Sequence, residues 1–440
     1  MSNLELGIYS FPVLLLLIFL RIPIGLAMLL CGLAGTYLIM GNTAPILARL
    51  KGETYSTFSS YSLSIIPLFL LMGQFATLGG MSQSLFRASN AWLGHRKGGV
   101  AMSAIGACAG FGAICGSSLA TAATMAQVAL PELRRYGYSG ALATGTLAAG
   151  GTLGVLIPPS VVLVIYAILA EQNIAKLFMA AFVPGILAAM GYMIAIAIYV
   201  RLYPDSAGST ERLPYRARFK ALAEVWPVLI VFTAVVGGIY TGIFTPTEAA
   251  AVGAAGTGLI ALINGGLTRE TFVQSILMTA SATAMIFFIV YGAAMYNSFL
   301  ALSQLPSQAA QFITSQGFNP WMVMAVILIF YLILGCFMDS MSMMLLTVPI
   351  FFPIVSVLDY GLGPEEFALW FGILVLIVVE VGLITPPVGM NLFVINSMAK
   401  DIPIFQTYRG VTPFVISDVV RTLLLLSFPV ISLFMVRLLY

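Results

Sequence analysis

The chain alternates long apolar runs with short polar clusters. Predominantly apolar stretches fall at roughly 6–20, 22–40, 62–80, 99–115, 119–131, 141–170, 177–200, 226–244, 247–264, 276–300, 321–337, 343–358, 367–399 and 411–438. A bilayer-spanning helix needs about 20 such residues, so these runs predict an all-α polytopic membrane protein. They lack the short alternating pattern of a membrane β-barrel. Several runs are too short for a full crossing. Short or broken apolar segments in matching places of two halves are the signature of a transporter binding site.

The halves do match. Gly154-Val155-Leu156-Ile157-Pro158-Pro159 returns as Gly382-Leu383-Ile384-Thr385-Pro386-Pro387, an offset of 386 − 158 = 228. Pro23 opens one Gly/Ala-rich segment and Pro246 another, 246 − 23 = 223. Phe69-Leu70-Leu71-Met72-Gly73 pairs loosely with Phe288-Ile289-Val290-Tyr291-Gly292, 288 − 69 = 219. This order predicts two repeats, residues 1–225 and 226–440. Each half also carries a polar interruption between short apolar arms: Cys115-Gly116-Ser117-Ser118 in the first, Met338-Asp339-Ser340-Met341-Ser342 in the second. Such arms predict re-entrant hairpins near 100–131 and 321–358, because irregular backbone survives at membrane depth only when protein or a water-filled cavity surrounds it.

Charge then orients the chain. With about five full spans and one hairpin per half, the second half is inverted relative to the first. An outside N-terminus puts Arg21, Arg87, Arg96, Lys97, Arg134, Arg135, Arg201, Arg212, Arg216, Arg218, Lys220, Arg269, Lys400 and Arg409 inside. Only Arg49, Lys51, Lys176 and Arg437 fall outside. The positive-inside rule favours this orientation. The hairpins then enter from opposite faces, as an alternating-access carrier requires. The hydrophilic segment 201–225 links the repeats, either as a plain linker or as an amphipathic surface helix.

Composition narrows the classes. The 440 residues are 60% hydrophobic and 8% charged, against about 25% charged in soluble domains. That excludes a soluble enzyme, and a net charge of +3 offers no basic patch for nucleic acid. The four cysteines lie in apolar segments without CxxC spacing, and the single His95 sits in a polar loop. Neither a disulfide framework nor a zinc site is expected. The N-terminal run lacks the basic start of a signal peptide and reads as a retained first helix.

The unusual residues point to ion and anion chemistry. Pro158-Pro159 and Pro386-Pro387 break their helices and free nearby carbonyls. Those carbonyls, around Gly151, Gly154 and Gly382, join the hydroxyls of Thr152 and Thr385 as hard oxygen ligands suited to Na⁺. Ser117 and Ser118 add hydroxyls at the first tip. Asp339, with Ser340 beside it, is the sharper candidate, because a charge at membrane depth usually marks an ion or substrate pathway. Glu248, after Thr245-Pro246-Thr247, reads as a helix cap. Glu380 is either an ion or proton group or a partner of Arg421. Split helices also expose N-termini that attract a carboxylate, and Asn391 and Asn396 follow the second break. No catalytic triad, phosphate loop or metal cluster is present, so no enzymatic activity is expected.

These motifs resemble a known family. Gly112-Ala113-Ile114-Cys115-Gly116-Ser117-Ser118-Leu119-Ala120-Thr121-Ala122, Leu130-Pro131-Glu132-Leu133-Arg134-Arg135-Tyr136-Gly137-Tyr138 and Gly151-Thr152-Leu153-Gly154-Val155-Leu156-Ile157-Pro158-Pro159-Ser160 are similar to the large membrane subunit of TRAP (tripartite ATP-independent periplasmic) transporters, the DctM-like family. Thr245-Pro246-Thr247-Glu248-Ala249-Ala250 and Gly382-Leu383-Ile384-Thr385-Pro386-Pro387-Val388-Gly389-Met390-Asn391 agree. Cys115 departs from the small residue expected there. The resemblance implies an elevator-type carrier of the ion-transporter superfamily in the bacterial inner membrane. It also implies a separate small four-helix membrane subunit and a periplasmic substrate-binding protein. The cargo would be a carboxylate such as a C4-dicarboxylate, sialic acid or another sugar acid, driven by Na⁺. Residue by residue, Ser117, Ser118, Gly151, Thr152 and Gly154 would form one Na⁺ site, and Asp339, Ser340, Gly382 and Thr385 another. Substrate would lie between the tips, against Ser117, Ser118, Ser340, Pro158, Pro159, Pro386 and Asn391. The competing readings are a carrier of the same superfamily that works without a binding protein and, from another class, a channel.

Overall fold

The computed structural model describes residues 2–439, and among them there is no β-strand. The first half runs α1 (Asn3–Phe19), α2 (Ile24–Met40), α3 (Ala44–Phe58), α4 (Ile65–Leu78), α5 (Met81–Leu93), α6 (Gly99–Cys115), α7 (Ser118–Arg135), α8 (Gly140–Leu156), α9 (Val161–Leu169) and α10 (Ile174–Leu202). A connecting helix, α11 (Tyr215–Ala223), leads to the second half. There follow α12 (Trp226–Phe232), α13 (Gly238–Tyr240), α14 (Pro246–Ile263), α15 (Arg269–Ser303), α16 (Leu305–Ser315) and α17 (Pro320–Gly335). The chain closes with α18 (Ser340–Val355), α19 (Pro364–Gly382), α20 (Met390–Met398), α21 (Ile404–Ser427) and α22 (Val430–Leu439).

Elements of the two halves follow one another at a near-constant offset. The bent pair α3–α4 corresponds to the single helix α15, since 269 − 44 = 225 and 303 − 78 = 225. Helices α6 and α7 correspond to α17 and α18 (320 − 99 = 221, 340 − 118 = 222), and α10 to α21 (404 − 174 = 230). Packing follows the same exchange. Helix α2 packs along α15 and its counterpart α14 packs along α4; α7 lies against α20 and its counterpart α18 against α9.

The halves differ at one hinge. Helices α3 and α4 meet at 53° where α15 runs unbroken. The α3–α4 junction is rich in hydroxyls that bond back to the preceding turn: Thr54 to Leu50, Ser59 to Tyr55 and Ser64 to Tyr61. Such back-bonding bends helices. At the start of α14 the predicted cap is present. Glu248 accepts from the Thr245 amide at 2.8 Å while the Thr245 hydroxyl accepts from the Glu248 amide at 3.3 Å.

Helices α10, α14, α15 and α21 are each long and apolar enough to cross a membrane, and three bent pairs raise the total to as many as seven. Their outer faces expose Ile194 and Ile198, Leu259 and Leu262, Leu277 and Met285, and Val420 and Leu423. Helices α8 and α19 are the opposite case. Almost every residue in Leu142–Leu156 and Phe367–Gly382 is buried, which is why both are apolar all round rather than striped. Each is followed by a Pro-Pro break, so the two innermost helices carry the breaks at their C-terminal ends. The runs 141–170 and 367–399 are thus each divided in two. Helices α3 and α5 were not marked by apolar runs because Arg49, Lys51, Glu53 and Arg87 interrupt them.

Candidate functional site

Each hairpin tip is built by capping chemistry. Helix α6 ends on Gly116 in the left-handed conformation, φ 65°, a C-terminal geometry that glycine adopts without steric cost. Ser117 then caps α7 by accepting from the Ala120 amide. At the second tip Asp339 caps α18, its carboxylate accepting from the Ser342 amide at 3.1 Å. One Asp339 oxygen is therefore committed to the helix, and the residue is partly exposed rather than sealed in the core.

Each tip closes on the break of its own half. A Cβ on Gly112 would come within 2.6 Å of the Gly154 Cα, and a Cβ on Gly382 within 2.6 Å of the Gly335 Cα. These pairs are repeat counterparts (335 − 112 = 223, 382 − 154 = 228), and only glycine permits the approach in either. Gly116 sits beside the Pro159 carbonyl. The Gly389 amide donates to the Cys336 carbonyl at 3.2 Å, tying the second break to the second tip.

The halves then meet. Ser340 donates to Glu380 Oε1 at 2.6 Å, and Ser118 of the first tip also interacts with that carboxylate. Glu380 is 1% exposed, and its Oε2 has no hydrogen-bond partner. Asn391 reaches across to donate to the Ala148 carbonyl at 3.2 Å, leaving its own Oδ1 without a partner. A Cβ on Gly151 would meet both Asn391 Nδ2 and the Ser118 carbonyl at 3.1 Å. Gly154 faces the Ser117 carbonyl and Thr121 Oγ1. Thr121 is fully buried, with its hydroxyl unpartnered. Unpartnered buried oxygens are costly, and those of Thr121, Glu380 and Asn391 cluster at the tips and breaks. Oxygen donors without soft ligands are the set an alkali cation takes, so these residues fit Na⁺. Among the described residues no group of three or more His, Cys, Asp or Glu side chains converges.

Other expected ligands are turned elsewhere. The Thr152 hydroxyl donates to the Ala149 carbonyl at 2.7 Å and lies 2.9 Å from the Tyr192 hydroxyl. Tyr192 in turn donates to Asp418 at 2.7 Å, and Asp418 pairs with Arg421 at 2.8 Å, both carriers of charge almost fully buried. Arg421 therefore pairs with Asp418, and the suggested Glu380–Arg421 pair gives way to Ser340–Glu380. An intrahelical partner three residues away reaches Arg421 before a second helix does. Thr385 bonds back to the Val381 carbonyl at 2.6 Å. Pro158 and Pro159 are buried, while Pro386 and Pro387 are exposed. The second break is therefore open to the surroundings and the first is shut. Sequence reading missed Thr121, Tyr192 and Asp418. Thr121 had a signal, since it stands one helical turn after Ser117.

Broken helices, hydroxyl-bearing hairpin tips and an apolar exterior define a polytopic membrane permease. The family model for the tripartite ATP-independent periplasmic transporter DctM component matches residues 11–431, and the chain belongs to that family. It is 36% identical over 403 residues to the C4-dicarboxylate TRAP transporter large permease protein DctM of Pseudomonas aeruginosa, covering 91% of this chain and 92% of that one. It is 30% identical over 422 residues to the sialic acid large permease protein SiaM of Vibrio cholerae, covering 95% of each. The solved YdaH transporter of Alcanivorax borkumensis shares the fold, with a TM-score of 0.59 at 13% identity over 88% of this chain and 89% of that one. The chain is thus a multi-pass membrane transporter subunit, and its relatives are permeases rather than enzymes.

Proposed function

We propose that this chain is the membrane-embedded engine of a Na⁺-coupled, binding-protein-dependent importer of a small carboxylate in the bacterial inner membrane. The cargo class is a C4-dicarboxylate, sialic acid or another sugar acid. The observation that carries the reading is the meeting of both hairpin tips at Glu380, beside unpartnered oxygens at two broken helices. Carbonyls and hydroxyls there hold Na⁺. The N-terminal amides of the split helices, with Ser117, Ser118, Ser340 and Asn391, take the carboxylate. The reading has the halves inverted, so that one break opens as the other closes. The open second break and closed first break support an elevator in which the tips and breaks move as one body. A separate small membrane subunit and a periplasmic binding protein complete the system.

The test is uptake into proteoliposomes containing this chain and its small subunit, with labelled succinate or sialic acid and the cognate binding protein. A Na⁺ gradient should drive accumulation, and omitting the binding protein should stop it. Accumulation without Na⁺ would remove the ion coupling. Efficient uptake without the binding protein would favour the lone carrier.

A further inference from the structure

Beyond the transport site, we infer that the basic ends of α6 and α10 form a binding site for the phosphate headgroup of an anionic phospholipid. A cavity of about 490 Å³ there is lined by Arg96, Lys97 and Arg201, with Met102, Val200 and Pro204 among its apolar wall. All three cationic residues are exposed. Among the described residues none of their side chains makes an ion pair or hydrogen bond, although Arg134, Arg135 and Arg87 on the same basic side each pair with an acid. Asp205, one residue beyond Pro204, is not paired with them either. No carboxylate lines the cavity.

Three cations held together without a counter-charge repel one another and attract an anion from outside. The surroundings select a lipid over a free ion. Beside the cavity, α10 exposes Ile194, Ile198 and Leu202 by 57%, 51% and 70%, and these line an apolar groove that α10 forms with α21. Tyr203, 52% exposed at the end of that stripe and stacked obliquely on Tyr199, has the amphipathic character of an interfacial anchor. A headgroup seated among Arg96, Lys97 and Arg201 would lay its acyl chains along that stripe. Basic pockets between helix ends at a membrane surface bind anionic headgroups in this way. The site lies at the helix ends, apart from the tips and breaks, and does not depend on Na⁺ coupling.

The test is native mass spectrometry of the purified full chain with dioleoyl-phosphatidylglycerol or dioleoyl-phosphatidylcholine at matched concentration. The first phosphatidylglycerol should bind at least about fivefold more tightly than phosphatidylcholine, the effect expected of one surface cation or more. R96Q/K97Q/R201Q should remove that preference. R212Q/R216Q/K220Q, which deletes as many cations from α11 and the residues just before it, should retain it. Equal binding of the two lipids by the unaltered chain would overturn the site. So would equal losses in the two triple variants, because the effect would then be general surface charge. If millimolar sodium phosphate raises the melting temperature of the unaltered chain as far as phosphatidylglycerol does, and not that of R96Q/K97Q/R201Q, the cavity is a free-anion site and the lipid assignment fails.

Discussion

Ser340 and Glu380 lie 2.6 Å apart, hydroxyl to carboxylate, in the buried centre of the molecule. Ser118 of the other hairpin is the second hydroxyl set against that carboxylate. One acidic side chain on the innermost helix of the second half therefore holds the second tip and lies beside the first. The second tip can leave only by giving up the Ser340–Glu380 hydrogen bond.

Glu380→Gln keeps the shape and an acceptor for Ser340 but removes the ionisable group. Na⁺-driven uptake in proteoliposomes should fall on the order of tenfold or more, as intramembrane carboxylates on ion paths are seldom dispensable. Binding of the substrate-loaded binding protein should be unaffected. Uptake at the unaltered rate would place Glu380 outside the ion pathway.

Asp418 and Arg421 are a buried pair, so removing one partner strands the other. Arg421→Met should destabilise the chain by about 3–5 kcal/mol, read as a lower melting temperature in detergent. Asp418→Asn combined with Arg421→Met should recover much of that loss, because no uncompensated charge remains. If the double variant melts no higher than Arg421→Met, the pair is not what stabilises this region.

The Gly112–Gly154 and Gly335–Gly382 contacts predict steric failure in both halves. Gly154→Ala would press a methyl group against the Ser117 carbonyl at 2.7 Å, and Gly382→Ala would drive one into Gly335. Backbone cannot retreat as a flexible side chain does, so each change should abolish uptake or folding. Gly52, in exposed α3, has open space around it, and Gly52→Ala should be tolerated with full activity. Size-exclusion profiles and uptake rates of the three variants decide the matter.

The orientation is open to labelling. His95→Cys in a background lacking Cys31, Cys108, Cys115 and Cys336 should react with a membrane-impermeant maleimide only after the cytoplasmic side is exposed. Labelling from outside intact cells would reverse the topology.

Much was legible in the residues alone. Apolar runs gave the membrane class, and Pro-Pro recurring at an offset of 228 gave the two halves. Ser117, Ser118 and Ser340 stood out because hydroxyl clusters interrupt otherwise apolar arms. These are local signals, since helix breaking and capping depend on residues within a turn or two of one another. Asp339 shows their limit: the same residue reads as an ion ligand or as a helix cap, and here its carboxylate caps α18.

Tertiary structure decided which of those groups face one another. Tyr192 and Asp418 are 226 residues apart in sequence, and Asn391 and Ala148 are 243 apart. Nothing local announces that Thr152 hydrogen-bonds toward Tyr192, or that Ser340 meets Glu380; the Asp418–Arg421 pair, three residues apart, is the local exception. Chain composition and breaks determined that there would be two hairpins and two broken helices. The packing of α8 and α19 determined where their oxygens converge, because close glycine contacts hold each tip against its own break and cross-half contacts such as Asn391 to Ala148 form only when those distant segments pack.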